Sequence, residues 1–166
     1  MPAGSTYTPI ATTTLGSAQA TVTFSSLGSY TDIVAVITAK VSASSYDLSF
    51  RVNGDSGTNY SLTALSGNGS TANSIRVSNA TAGRGDYRAY MDTSEFNNYI
   101  INFMNYGNST TYKTIIGRGN SAALGTDAVV NLWRNTAAIT SIVFAPEFVG
   151  NFATGSTFTL YGIASA

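Results

Sequence analysis

The chain has no cysteine and no histidine, and only 8 basic and 8 acidic residues stand among its 166. Without cysteine there is no disulfide and no thiol nucleophile. Without histidine the usual proton shuttle and the commonest metal ligand are missing, and a Ser–His–Asp triad is excluded. We therefore expect a protein that binds or builds, not an enzyme, and we expect no metal and no cofactor.

The charges balance: the formal net charge is zero and the isoelectric point is about 6.1. Binders of nucleic acid or of anionic membranes carry a basic surplus, so neither is expected as a partner. The longest apolar stretch, residues 33–41, contains Thr38 and Lys40 and is too short to cross a bilayer. No signal peptide is apparent, which predicts synthesis in a cytoplasm; if the protein works outside the cell, another route such as release with a particle carries it there.

Alternation of apolar and polar residues predicts strands along most of the chain. In residues 46–53 the even-numbered side chains are predicted to face the core and the odd-numbered ones the water. Residues 33–41 predict a more deeply buried central strand. Further strands are predicted at residues 20–24, 60–65, 74–77, 86–91, 99–104, 112–117, 129–133, 142–144 and 157–163.

Clusters of Asn, Asp, Gly and Ser at residues 53–57 and 66–70 predict tight turns between these strands. Short strands joined by such turns indicate an all-β fold, and we expect an antiparallel β-sandwich of the jelly-roll type over residues 15–166. Residues 1–14 are predicted to be an extended N-terminal arm outside the sheets. Pro2 and Pro9 favour this interpretation, because proline cannot donate a hydrogen bond to a sheet.

The aromatic residues, ten Tyr and one Trp among them, raise the main question of binding. One hypothesis makes Trp133 and Tyr106 exposed members of a platform that stacks on sugar rings. The competing hypothesis places the tyrosines in the core or at a subunit interface, where an apolar ring with one polar end fits well. The candidate partner or sugar contacts are Trp133, Tyr106, Asn108, Asp55 and Asn59.

Two short motifs are candidate sites. Asp55, with Asn53, Asn59 and backbone carbonyls, resembles a set of oxygen ligands for Ca²⁺. A single carboxylate is little charge for that ion, so a structural turn is favoured over a cation site. The tripeptide 84–86, Arg-Gly-Asp, is interpreted as a turn leading into the strand predicted at 86–91, with its charges on the rim.

Three segments carry a resemblance to a known group of proteins: residues 24–33 (FSSLGSYTDI), residues 51–60 (RVNGD followed by NY) and residues 152–163 (FATGSTFTLYGI). Together they resemble small jelly-roll virion proteins of tailed bacteriophages, especially phages of aquatic bacteria. The resemblance implies a structural role, as a head decoration or cement protein or as a module at fibres and tails. It implies no catalytic residues.

We therefore expect a virion structural protein, a capsid decoration or cement protein that stabilises the head shell as a homotrimer bound to the major capsid protein. The low, balanced charge and a chain that starts at Met1 with no attached shaft favour this role over a fibre tip. The alternative is a carbohydrate-binding module on a tail, fibre or head surface that attaches the particle to host surface polysaccharide. The position on the particle, the sugar and the host stay open at this point.

Overall fold

Two antiparallel β-sheets account for the ordered strands of the chain. The structure is a computed structural model and describes residues 6–44, 46–88, 90–147 and 150–164. The strands are β1 (Tyr7–Thr14), β2 (Val22–Ser25), β3 (Asp32–Ala39), β4 (Leu48–Val52), β5 (Tyr60–Gly67), β6 (Ala72–Ala80), β7 (Gly83–Arg84), β8 (Asn97–Phe103), β9 (Lys113–Ser121), β10 (Gly125–Trp133), β11 (Ser141–Pro146) and β12 (Thr157–Ile163).

The larger sheet has eight strands in the order β1-β12-β3-β8-β9-β10-β5-β6, and the smaller has four in the order β2-β11-β4-β7. The two pack face to face, which confirms the predicted all-β sandwich. A jelly roll divides eight strands between two sheets; here the division is eight and four, so the jelly-roll type stays a prediction. Across the described residues we find no helix long and apolar enough to span a membrane.

Phenylalanine rings fill the space between the sheets. Phe50 of β4 lies 5.3 Å from Phe103 of β8, and Phe144 of β11 lies 6.0 Å from Phe158 of β12, measured between ring centroids. These contacts join the small sheet to the large one, and burial of such apolar area is the main force that holds two sheets together. The core positions predicted for the even-numbered residues 48, 50 and 52 are confirmed, since each of these side chains is fully buried.

The prediction that the odd-numbered side chains of the same segment face water is partly wrong. Asp47 and Ser49 were predicted to face water, yet both are buried, whereas Arg51 and Asn53 are exposed as predicted. The outer side of this segment is covered where Arg84 contacts Asp47 and where the Ser49 hydroxyl donates to the Ala145 carbonyl, 2.9 Å away. Alternation predicts that neighbours point to opposite faces, but not that one face is open to solvent.

The predicted N-terminal arm is wrong for residues 7–14. These residues form β1, which pairs along β12 at the edge of the large sheet, and Thr12 and Thr14 hydrogen-bond Thr159 and Thr157 through their hydroxyls. Pro9 is tolerated because β1 is an edge strand and its register shifts between Pro9 and Ala11. Residues 1–5 lie outside the described part.

The strand predicted at 86–91 is also wrong. The backbone amides of Tyr87 and Arg88 donate to one carboxylate oxygen of Asp127, at 2.6 and 2.7 Å, instead of to a neighbouring strand. Tyr87 packs there against a second apolar cluster, formed by Leu62, Ala64 and Val129. Residues 86–88 therefore cover part of the large sheet beyond the short strands of the small sheet, and residue 89 lies outside the described part.

Candidate functional site

The loop after β4 is tied to Trp133 at the end of β10. The Trp133 ring nitrogen donates to Asp55 Oδ2 at 2.7 Å, the Asn59 side-chain amide donates to the same oxygen at 2.9 Å, and the Gly57 amide donates to Asp55 Oδ1 at 2.9 Å. Trp133 is 1% exposed. The exposure that the stacking hypothesis expects of Trp133 is therefore wrong, because its side of β10 is the core side.

The Asp55 carboxylate serves as the acceptor that closes this loop. Burial raises the pKa of Asp55, the hydrogen bonds from Trp133, Asn59 and Gly57 lower it, and the balance is a pKa below the usual value. The preceding Asn53 and Gly54 have φ angles of 53° and 67°, as a tight turn requires. Nowhere in the described ranges do three or more carboxylates gather as a metal site. The geometry is that of a structural turn.

Replacing Asp55 by alanine is expected to lower the free energy of unfolding by about 1–3 kcal/mol, because the buried indole N–H of Trp133 loses its acceptor. Urea unfolding followed by Trp133 fluorescence measures this, with the exposed neighbour Ser56→Ala as the control that stays within about 0.5 kcal/mol. EDTA should leave the wild-type curve unchanged. A wild-type unfolding curve that shifts in EDTA would support Asp55 as a cation ligand and contradict its assignment to a purely structural turn.

Tyr106 and Asn108 lie in the connection between β8 and β9. Tyr106 is 3% exposed, and its hydroxyl donates to the Gly28 carbonyl at 2.8 Å, so its predicted exposure is wrong. Asn108 Oδ1 accepts the backbone amides of Thr110 and Thr111 at 2.8 and 2.9 Å. Both side chains are engaged in holding loops in place. Hydrogen bonds thus join Asp55, Asn59 and Trp133 to each other, but join neither Tyr106 nor Asn108 to them.

A cluster of charged side chains lies around β4 and β7, with Asp47 and Asp86 buried and Arg84 and Glu147 partly exposed. Arg84 of β7 forms an ion pair with Asp47 at 2.6 Å and a second one with Glu147. Asp86 has no exposed surface and accepts hydrogen bonds from the Leu48 amide at 2.7 Å and the Tyr99 hydroxyl at 3.0 Å. The prediction that residues 84–86 carry their charges on the rim is therefore wrong for Asp86, whereas Arg84 stays partly exposed.

Burial has a strong effect on two of these carboxyls. It raises the pKa of Asp47 to about 7, with Arg84 opposing the shift and Glu147 adding to it. It raises the pKa of Asp86 well above the usual value, and the nearby charge of Asp47 adds to the effect. A fully buried Asp86 offers no surface to a substrate, so we assign this cluster a structural role in the fold.

The outer face of the eight-stranded sheet presents a surface that sequence reasoning missed. Five apolar side chains on it are 36–60% exposed, and we call this surface the apolar sheet face. Its members are Val36, Leu65, Ile100, Ile116 and Val130. A signal was present: β8, β9 and β10 each contain two adjacent apolar residues, as in strands covered on both faces. Solvent-exposed apolar surface of this kind marks sites of protein contact.

No family model matches the chain, and no curated protein matches it. The class that the structure itself defines is an all-β sandwich with an eight-stranded and a four-stranded sheet.

Proposed function

We propose that the protein is a bacteriophage virion structural protein, a capsid decoration or cement protein that binds the major capsid protein and stabilises the head shell. The observation that supports this best is the apolar sheet face. It leaves β-branched and leucine side chains in water on a broad sheet, while the buried carboxylates serve the fold. Such a surface suits contact with another protein rather than catalysis. The phage assignment itself rests on the resemblance of residues 24–33, 51–60 and 152–163.

The proposal includes the virion as the location, a homotrimer as the assembly and a jelly-roll type of sandwich. Near-zero formal charge favours association, because it gives little repulsion between copies. The carbohydrate-binding alternative depends on Trp133 and Tyr106 as exposed rings that stack on a sugar, and both side chains are buried. We therefore propose no sugar site.

Electron microscopy of intact virions of the phage that carries the gene tests the proposed function. With antibodies against the protein, we expect label spread over the head, and we expect heads made without the protein to break at a lower temperature or under osmotic shock. Label confined to the tail or fibres would contradict the decoration role. So would a failure to detect the protein in wild-type virions.

A further inference from the structure

We propose that the apolar sheet face is the surface that docks on the shell, and that the shell presents there an apolar protein surface with carboxylates opposite Arg118 and Arg76. This inference rests on the proposed function and names the surface and the chemistry of the partner. It follows from the strand register, the area of the face and the distribution of charge.

The register places the exposed residues in two adjacent rows across the sheet. One row runs Val36, Ile100, Arg118, Ala128 and Leu65 through β3, β8, β9, β10 and β5. The second row runs Asn102, Ile116, Val130, Thr63 and Arg76 from β8 to β6. Apolar residues thus surround Arg118 at the middle of the face, and Arg76 ends the second row at its edge.

The area of the face is close to what a stable interface needs. The six strands from β3 to β6, which carry the two rows, are each 7–9 residues long and lie side by side. At about 4.8 Å between strands and roughly 25 Å along them, the face covers about 700 Å². Specific protein interfaces bury about 800 Å² on each partner. A partner with a flat surface could therefore be held by this face.

The charge on the face calls for carboxylates on the partner. Arg76 and Arg118 are exposed, and neither forms an ion pair in the described structure. Strands β5, β6, β8, β9 and β10 place no acidic side chain on this face, because Asp127 of β10 points to the inner side, and Asp32 at the start of β3 accepts the Asn105 amide. Complementary charges across an interface steer docking and fix its register. The matching acids have to come from the partner.

A second copy of this chain is a poor source of those acids. Of its eight carboxylates, three are buried, Glu147 pairs with Arg84, and Asp32, Asp55 and Asp92 accept backbone amides. Only Glu95 is left. A two-fold axis near the centre of the face would also bring Arg118 of β9, a central strand, close to its own mate. The charge pattern therefore favours a different protein over self-pairing.

Co-sedimentation with heads made without the protein tests the inference. We expect Ile116→Asp and Arg118→Glu each to weaken binding to the heads at least tenfold. We also expect added salt to weaken the binding of the wild type more steeply than the binding of Arg118→Glu. The matched controls lie on the outer face of the small sheet, where Val143 is paired with Arg51. Val143→Asp and Arg51→Glu should bind within twofold of the wild type. Urea unfolding of every variant verifies the fold.

Four other outcomes overturn the inference in different ways. If wild-type protein fails to bind the heads, the proposed function fails and the docking face fails with it. If wild-type protein binds and both variants bind equally well, only the docking face fails. If Ile116→Asp breaks up an oligomer in analytical ultracentrifugation but still binds heads, a second copy covers the face. If wild-type protein pellets with phosphatidylcholine vesicles and Ile116→Asp does not, the partner is a membrane.

Discussion

Replacing Phe50 by alanine is expected to lower the free energy of unfolding by roughly 3–5 kcal/mol, because the core loses the ring and keeps part of its space as a cavity. Phe50 has no exposed surface and lies 5.3 Å from the Phe103 ring, in the contact between the two sheets. Urea or guanidinium unfolding measures the change. The exposed neighbour Arg51→Ala should stay within about 0.5 kcal/mol.

Gly83 packs against the Phe50 ring and therefore offers a second, independent test of the packing of β4. A Cβ atom at residue 83 would lie 2.2 Å from an atom of the Phe50 ring, so Gly83→Ala alone should cost about 1–3 kcal/mol through overlap. In the double variant the new methyl group enters the space that the ring has left, so the double variant should cost less than the sum of the two. Strict additivity, or a larger loss for Arg51→Ala than for Phe50→Ala, would contradict the packing described for β4.

The free energy of unfolding is expected to fall as the pH rises from about 4 to about 7, by on the order of a few kcal/mol. The folded protein raises the pKa of Asp47 from 3.8 to about 7 and that of Asp86 well above 3.8, in both cases mainly through burial. Between the unfolded and folded pKa values the native state binds more protons than the unfolded state. Stability is therefore highest at the acidic end of this window and is lost as the pH rises through it.

Asp86→Asn tests the cause of this slope. Asparagine has nearly the same shape as aspartic acid but carries no charge that folding would have to bury. Its side-chain oxygen can still accept a hydrogen bond from the Leu48 amide, and its other polar atom stays within hydrogen-bonding distance of the Tyr99 hydroxyl. We expect the variant to be more stable than the wild type at pH 7.5 and to show a flatter pH dependence. Asp47→Asn should also flatten the pH dependence of the free energy of unfolding, although this variant loses the ion pair with Arg84.

The control for the pH experiment is Asp92→Asn. The backbone amide of Glu95 is the main cause that lowers the pKa of Asp92, so the stability it contributes is present above its unfolded pKa and lost only as the pH falls below it. This variant should leave the decline between pH 4 and 7 unchanged. If Asp86→Asn kept the full wild-type slope, the buried carboxyl of Asp86 would not be its source.

Local pattern in the sequence determined much of the fold. The strand predicted at residues 157–163 coincides with β12, and the turn predicted at residues 66–70 joins β5 to β6, where Asn68 Oδ1 accepts the amides of Ser70 and Thr71. These features depend on neighbouring residues alone: side chains alternate along a strand, and Asn and Gly accept the backbone angles of a turn. The sandwich class followed from them.

Only the tertiary structure decided which faces are covered. Alternation separates Trp133 from Leu132 without saying that Trp133 is the inner one, and it cannot reveal that Arg84 buries Asp47. Pro9 argued against a strand, yet an edge position beside β12 tolerates it. Strand pairing and sheet packing join residues far apart in the chain, so the partner strand, the covered face and the acceptor for each buried charge are set by distant segments.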